Sequence, residues 1–466
     1  MKILLIKPKP DSFQFGLAPF FQTEPLGLQY IAASLERAGH VVEIRDMRFE
    51  RLPLRKILKN SSPALVGLTC LHILDATAVL RVAEEVKAYD PSIFVLAGGH
   101  AASAYPEALR DSPHIDSICI GEGEEAVRAT VDALEKGNDP RSPSKSSLLD
   151  LAHVPVPSRK LVSRYQKNYC CLNFMPVWTL ETSRGCSYRC KFCSVWQVYK
   201  GTTRFHKLED VRADYEATGA NLFIIDDLFW SNEDGSRELA KVLLNSKERK
   251  NWILTQSRLD LVANYPHLLE AWRPLAKHFD IFFGFEAATS ERLKGLNKGC
   301  GVDVVSEALK IARRFGFGVT GNFIIDPDFE ESDFHPLWSF LEEHKLHRVG
   351  FTILTPLPGT KYFDRVKDDL LVFDLAKYDL HHLLKRPKLP MEKFFELYCE
   401  SWRRSVLNLK GQKKWWHWAK EVSPQKIPRL ARILYRTQKL MDPKAYLSEN
   451  VLPDTGRVQA AGEGTA

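Results

Sequence analysis

Three of the nine cysteines fall in one short stretch, Cys186, Cys190 and Cys193, with the spacing C-x3-C-x2-C. Three thiolates offered by a tight loop can ligate three corners of a cubane [4Fe–4S] cluster. The fourth iron is then open to bind and activate a small molecule. Zinc is the competing reading, but structural zinc sites usually close with four ligands. No fourth Cys or His lies in the same loop, His206 being the nearest candidate. No paired-carboxylate or Ser-His-Asp signature accompanies the cysteines, so conventional acid–base or acyl-transfer chemistry is not indicated. An odd cysteine count at low density argues against a secreted disulfide scaffold and for a reducing cytoplasm.

The cysteines need elements to hold them. Apolar strand runs at 2–6, 41–44, 65–68, 93–96 and 117–120 alternate with helical stretches at 26–38, 76–89 and 124–134. That alternation predicts a Rossmann-like, doubly wound parallel sheet over residues 1–136, with ligands beyond the carboxyl ends of its strands. A polar Pro- and Ser-rich stretch opens a linker at 137–174. A second series, with strands at 178–182, 222–226, 252–256, 281–285, 319–325 and 351–354, has room for one helix per strand. It predicts a partial (β/α)6 barrel over 175–385, with the cysteines just past its first strand. A helical basic region is expected at 386–453 and a disordered tail at 454–466.

The cysteine motif, with Phe192 before its last member and a barrel following, resembles the radical S-adenosylmethionine (SAM) superfamily. The resemblance implies that the open iron chelates the amino and carboxylate groups of SAM. One electron then yields a 5′-deoxyadenosyl radical, supplied by a donor such as flavodoxin or ferredoxin. It also implies SAM contacts at Phe192 and at the strand ends: Asp226 and Asp227 after the second, Ser257 and Arg258 after the third, Glu286 after the fourth. Helix capping explains a lone Asp or Glu after a strand equally well. Gly318, Gly321 and the turn at 357–360 fit the pattern too, and turn chemistry alone also explains them.

The first domain resembles cobalamin-binding (vitamin B12) domains. Thr69-Cys70-Leu71 matches their S/T-x-L step, Gly98-Gly99 their paired glycines, and Gly121-Glu122-Gly123-Glu124 the turn of the B12-dependent radical SAM group. Small residues there let the backbone approach a nucleotide tail. Where such domains supply an axial histidine in D-x-H-x-x-G, the stretch from Asp11 to Gly16 has Phe13, which implies cobalt without a protein imidazole. His72 and His100 near this site read as hydrogen-bonding residues. Together the two cofactors imply methyl transfer to an sp3 carbon, which has no lone pair for polar attack on a SAM methyl.

The charge speaks to where the substrate is met. Of the net +7, a +10 excess sits between Trp402 and Leu440, with eleven basic residues against Glu421, so the rest carries −3. Residues 425–440 put Ile427, Leu430, Ala431 and Leu434 on one helical face and Arg429, Arg432, Arg436 and Lys439 on the other. Lys413-Lys414-Trp415-Trp416-His417-Trp418 lies just upstream. Basic faces with tryptophans suit a helix on an anionic membrane. Nucleic acid is the competing partner and is not expected; a helix docked on the barrel with a solvated basic face explains the pattern as well. The short apolar run at 3–6 reads as a strand rather than a signal peptide, and no apolar run approaches a membrane span. A cytoplasmic enzyme, peripheral on the inner membrane face, is the expectation. Within the B12-dependent group the chain most resembles hopanoid C-3 methylases, on Glu24-Pro25-Leu26-Gly27-Leu28 and Tyr378-Asp379-Leu380-His381-His382. Tyr378, His381 and His382 fit a substrate pocket or simple packing. An anaerobic oxidative cyclase acting on a tetrapyrrole and a cobalamin-dependent regulator are the alternatives.

Overall fold

The structure, a computed structural model, describes all residues except 12–14, 16–19, 142–143, 146, 247–248, 407–426, 453–457 and 460–466. Side chains at 144–145, 406, 427–430, 432, 434 and 458–459 are also outside the description.

The run Ile3 to Ile6 is buried throughout, as a strand covered on both faces must be. It lies in Lys2–Lys7, between Val41–Asp46 and Leu65–Thr69; Phe94–Gly98, Ser117–Ile120 and Ser144–Lys145 follow outward, all parallel. Helices Leu26–Arg37 and Gly123–Glu135 cover one face, Leu54–Ser61 and Ala76–Tyr89 the other. Each Leu, Ile or Val fully buried between these layers contributes roughly 1.5–3 kcal/mol. The strand order reverses beside Lys2–Lys7, the switch point at which doubly wound sheets bind ligands.

The stretch expected to be a linker is structured instead. Ser144–Lys145 extends the first sheet, and Cys170–Cys171 pairs antiparallel with Phe21–Gln22. Composition marked it as polar, but the free edge of a sheet takes up a polar strand through backbone bonds alone.

The second sheet has six parallel strands in chain order: Trp178–Leu180, Asn221–Ile224, Lys250–Ser257, Ala276–Glu286, Gly318–Ile325 and Val349–Ile353. Six strands leave two open edges, and both are covered by polar groups. On the last strand, Tyr398 Oη donates to Phe351 O (2.8 Å), Ser405 Oγ donates to Val349 O (2.8 Å) and Ile353 N–H donates to Leu380 O (2.7 Å). Tyr398 and Ser405 belong to the C-terminal helix Met391–Val406. On the first strand, Thr179 N–H donates to Glu24 (2.7 Å) and Arg159 donates to Thr179 O (2.7 Å). Glu24, noted for its place in the first-helix entry, thereby ties the N-terminal domain to the barrel.

Side-chain parity separates the barrel's faces. Ile253 packs outward with Leu268 and Trp272, whereas Trp252 and Leu254 face inward with Val177, Phe223, Phe21 and Phe174. Phe174 stacks on Trp252 at 4.0 Å, so the lower part of the barrel is plugged. Gln256, the next inward position, is exposed, so the concave side is open at that level. In the tail expected to be disordered, Val458–Gln459 pairs in parallel with Val372–Phe373; the rest of that tail lies outside the described residues.

Candidate functional site

The cysteine loop begins where the first barrel strand ends. Gly185 has φ +97, and a Cβ there would run into the Thr202 carbonyl, so the turn requires glycine. The loop is fixed from outside: Trp196 Nε1 donates to Cys190 O (3.0 Å), Asn297 Nδ2 to Arg189 O (2.8 Å) and Lys191 N–H to Leu296 O (3.2 Å). Burial pushes all three thiols up, Cys193 to about 12, and neighbouring thiols raise Cys186 and Cys193 further. Bound cationic iron removes that penalty by taking the sulfurs as thiolates. Among the described residues, the only His, Cys, Asp or Glu trio with ligand atoms within 4.8 Å of one another is His40, Asp132 and Glu135. The cysteine sulfurs are spread wider than one zinc ion would hold them, at about 3.8 Å for bonds of ~2.3 Å. The donor set fits a cubane.

The two aspartates after the second strand divide. Asp226 is buried and fully used: Thr182 N–H (2.7 Å), Thr182 Oγ1 (2.5 Å) and Ser183 Oγ (2.6 Å) all donate to it. Asp227 accepts from Gly185 N–H (2.9 Å) and is otherwise open. Desolvation pushes each carboxyl up to about 6; Ser183 and Thr182 partly offset this at Asp226, and Gly185 N–H at Asp227. Ser257 Oγ donates to Phe229 O (3.1 Å), so its hydroxyl is used within the barrel. Arg258 lies against Cys190, Asp260 and Tyr188. Glu286 sits at φ +62 on a bulge and accepts from Lys298 Nζ (2.7 Å). Phe192 is partly buried against the apolar cluster that includes Leu354, Tyr362 and Phe363. Gly359 at φ +81 presses on the Ala104 backbone, and Gly321 on that of Phe283, so both serve packing; a Cβ at Gly318 would meet the Asp280 carboxylate.

The carboxyl ends of the first sheet face this loop: His100, just past Gly98-Gly99, shares a hydrogen bond of 2.8 Å with Ser194, next to Cys193. Burial, then His72, pushes His100 down to about 4, so it is neutral at physiological pH. Lys7 Nζ donates to Asp75 Oδ2 (2.7 Å), which also accepts from the Leu71 and His72 N–H groups and so shapes the loop after Thr69. Leu71 is left 49% exposed, an uncovered apolar side chain at the switch point. Gly99 at φ +113 lets its turn touch Cys70 O; a Cβ would stand 2.6 Å away. Gly121 (φ +97) donates to Ser103 Oγ (2.9 Å), which in turn donates to Gly99 O. An uncovered Leu between backbone-lined glycine turns fits a large, partly apolar cofactor such as cobalamin.

Glu122 has another use. It accepts from Arg184 (2.8 Å), Arg204 (2.7 and 2.9 Å) and Leu149 N–H (2.6 Å), joining the two domains. Burial alone would raise its carboxyl, and Arg204 and Arg184 more than reverse that. Gly123 lies under Ile31, where a Cβ would come within 2.7 Å, so it serves helix packing. Of the axial-ligand stretch, only Asp11, paired with Arg81 (2.8 Å), and Phe15, stacked on Tyr446 (4.1 Å), are described. His381 Nδ1 lies 3.0 Å from Tyr398 Oη, and His382 is buried beside Asp379 (3.0 Å), on the barrel's closed edge. Sequence reading missed Gln256, Arg184, Arg204, Ser194 and Lys298. The Arg184-Gly185-Cys186 adjacency was the one local cue.

Residues 17–131 match the B12 binding domain family and residues 180–341 the radical SAM superfamily. The hopanoid C-3 methylase of Methylococcus capsulatus is 27% identical over 85% of this chain and 78% of its own. The anaerobic magnesium-protoporphyrin IX monomethyl ester cyclase of Cereibacter sphaeroides is 25% identical over 83% of this chain and 67% of its own. In fold, the chain is similar to the cobalamin-dependent SAM radical enzyme OxsB, solved with aqua-cobalamin and SAM. The TM-score is 0.68 at 17% identity, over 97% of this chain and 73% of that one. With both domains in this order, the chain is a cobalamin-binding radical SAM enzyme, the domain set that works with a [4Fe–4S] cluster, SAM and cobalamin, and its relatives support a methyltransferase.

Proposed function

We propose that this enzyme adds a methyl group to an unactivated carbon of a membrane lipid, a hopanoid at C-3. The observation that carries the reading is the alignment with the hopanoid C-3 methylase along 85% of this chain. When bound, the cofactors supply a radical that removes hydrogen from carbon and a cobalt-borne methyl group that replaces it.

In this reading Cys186, Cys190 and Cys193 hold the cluster. Asp227, open beside the loop, holds the SAM amino group, while Asp226 holds the strand ends around it. Thr69, Leu71, Gly98, Gly99 and Gly121 form the cobalamin cradle. Gln256 faces the open part of the barrel, and the plug of Trp252, Leu254 and Phe174 keeps water out from below.

Two surfaces support the partners. Ala431 and Tyr435 of the helix Ile427–Leu440 are exposed, Tyr435 by 57%, which leaves apolar area for a lipid surface. Arg403 and Arg404, counted in the basic excess, are paired instead with Glu400 and Glu342. The tryptophan-rich stretch at 413–418 lies outside the described residues. No described helix is long and apolar enough to cross a membrane. Residues 185–207 carry five basic residues and no acidic one, and Arg189, Lys191 and Lys200 are exposed there. That face suits an acidic electron donor such as flavodoxin or ferredoxin.

The test is anaerobic turnover of the cobalamin-loaded, cluster-reconstituted protein with a hopanoid and methyl-labelled SAM. A product heavier by one CH2, carrying the label, is expected, with 5′-deoxyadenosine release abolished in Cys190→Ala. An unmodified hopanoid, together with oxidation of a tetrapyrrole ester offered in parallel, would overturn the lipid reading.

A further inference from the structure

Arg258 follows the third barrel strand, where the resemblance placed a SAM contact, yet its guanidinium is already committed. Nε donates to Asp260 Oδ1 (2.9 Å), Nη2 donates to Asp260 Oδ2 (3.2 Å) and to the Lys298 carbonyl, and Nη1 lies 4.0 Å from Cys190 Sγ. The guanidinium carbon stands 3.6 Å over the ring of Tyr188, itself inside the cysteine loop, and Tyr188 Oη donates to Asp260 Oδ2 (2.9 Å). Arg258 is 6% exposed. One N–H remains unassigned of the five a guanidinium carries, too few for the paired fork that grips a carboxylate.

We propose that Arg258 is a positioning residue for the cluster, setting its reduction potential through Cys190 rather than binding SAM. The proposal rests on the cluster assignment. Asp260 takes the Nε and Nη2 edge, so the Nη1 end, carrying positive charge, is turned to the sulfur. A hydrogen bond and a cation at a ligating sulfur stabilise the reduced cluster, which holds one more negative charge, and so raise its potential. The other cation near Cys190, Lys298, is paired at 2.7 Å with Glu286, which leaves Arg258 as the aimed one. The couple concerned is [4Fe–4S]2+/1+: one electron enters from the external donor and no bond in the protein forms or breaks.

The experiment is a potentiometric titration, followed by electron paramagnetic resonance, of reconstituted cobalamin-loaded wild-type, Arg258→Gln and Arg258→Lys proteins without SAM. Iron and sulfide are counted in each, and SAM affinity is read from its effect on the cluster spectrum. The midpoint should fall in Arg258→Gln and recover partly in Arg258→Lys, with SAM affinity changed less than about threefold, far below the loss of a charged contact. An unchanged midpoint, or a greater than tenfold loss of SAM affinity, overturns the proposal. If Arg258→Gln fails to retain iron, Arg258→Lys decides: it keeps a charge but loses the aimed Nη1 group, so its midpoint should lie below that of wild type, and an unchanged midpoint overturns the proposal. A wild-type protein that assembles no cluster overturns the cluster assignment itself, a result separable from the others by iron content alone.

Discussion

Replacing Asp226 with asparagine should stabilise the fold at neutral pH, against the usual expectation for a carboxylate holding three donors. The carboxyl has been pushed from 3.8 to about 6, mainly by desolvation that its hydrogen bonds only partly offset. That difference is worth about 3 kcal/mol of cost to the charged form. Because the folded value is raised, the fold favours the proton: the cost is full above about pH 6, fades as pH falls towards about 4, and vanishes below the unfolded value. Asparagine can keep every bond. Its carbonyl accepts from Thr182 N–H, and the hydroxyls of Thr182 and Ser183, now donating, can rotate to accept from the amide. The assay is denaturation of wild type and Asp226→Asn across this pH range. At neutral pH the variant should gain up to about 3 kcal/mol, an upper limit equivalent to roughly 6–12 °C for a barrel-sized unit. The gap should close as the pH is lowered. A variant less stable at neutral pH, or a gap that widens in acid, would refute the reasoning.

Other consequences follow from the same geometry. Gly99→Ala should cost about 1–3 kcal/mol in the N-terminal domain and lower cobalamin retention without changing iron content, checked by corrinoid absorbance and iron assay. Arg184→Met removes the shared partner of Glu122, Glu124 and Glu181, and should cost about 3–5 kcal/mol in urea unfolding. Asp227→Asn should keep the cluster and weaken SAM binding at least tenfold, read from the cluster's spectrum. Lys413→Glu with Lys414→Glu should weaken sedimentation with anionic vesicles, by about 1 kcal/mol for each charge removed and more for its reversal, most strongly at low salt.

What was legible in the sequence was whatever is local. The C-x3-C-x2-C loop is contiguous, and the strands announce themselves as short apolar runs, so the place of the cysteine loop and both sheets could be read directly. The division between Asp226 and Asp227 could not, because neighbouring residues at a strand end point to opposite sides and nothing in the pair Asp-Asp says which faces the loop. The partners of Glu122 were not legible since Arg184 and Arg204 stand sixty or more residues away. The partners of Arg258 were not legible for the same reason: Tyr188, Cys190 and Lys298 reach it only through the fold. The linker was misread because its strand pairing is a backbone property that composition does not carry.

The contacts between the two domains bear on how the cofactors are kept in register. Beside an apolar cluster that joins Ile73 to Leu354, Tyr362 and Phe363, they include polar, directional pairs: Glu122 with Arg184 and Arg204, Glu24 with Arg159 and Thr179, His100 with Ser194. An apolar interface tolerates sliding, whereas a buried charge displaced from its partner faces a desolvation cost of several kcal/mol. The first and last of these pairs are anchored close to the site. Glu122 lies between Gly121 and Gly123, Arg184 precedes Gly185, Ser194 follows Cys193, and His100 follows Gly99. These two sets of bonds therefore set the glycine turns of the first domain against the cysteine loop. A rigid mutual placement, rather than a hinge between two independent modules, is what this arrangement of charges selects.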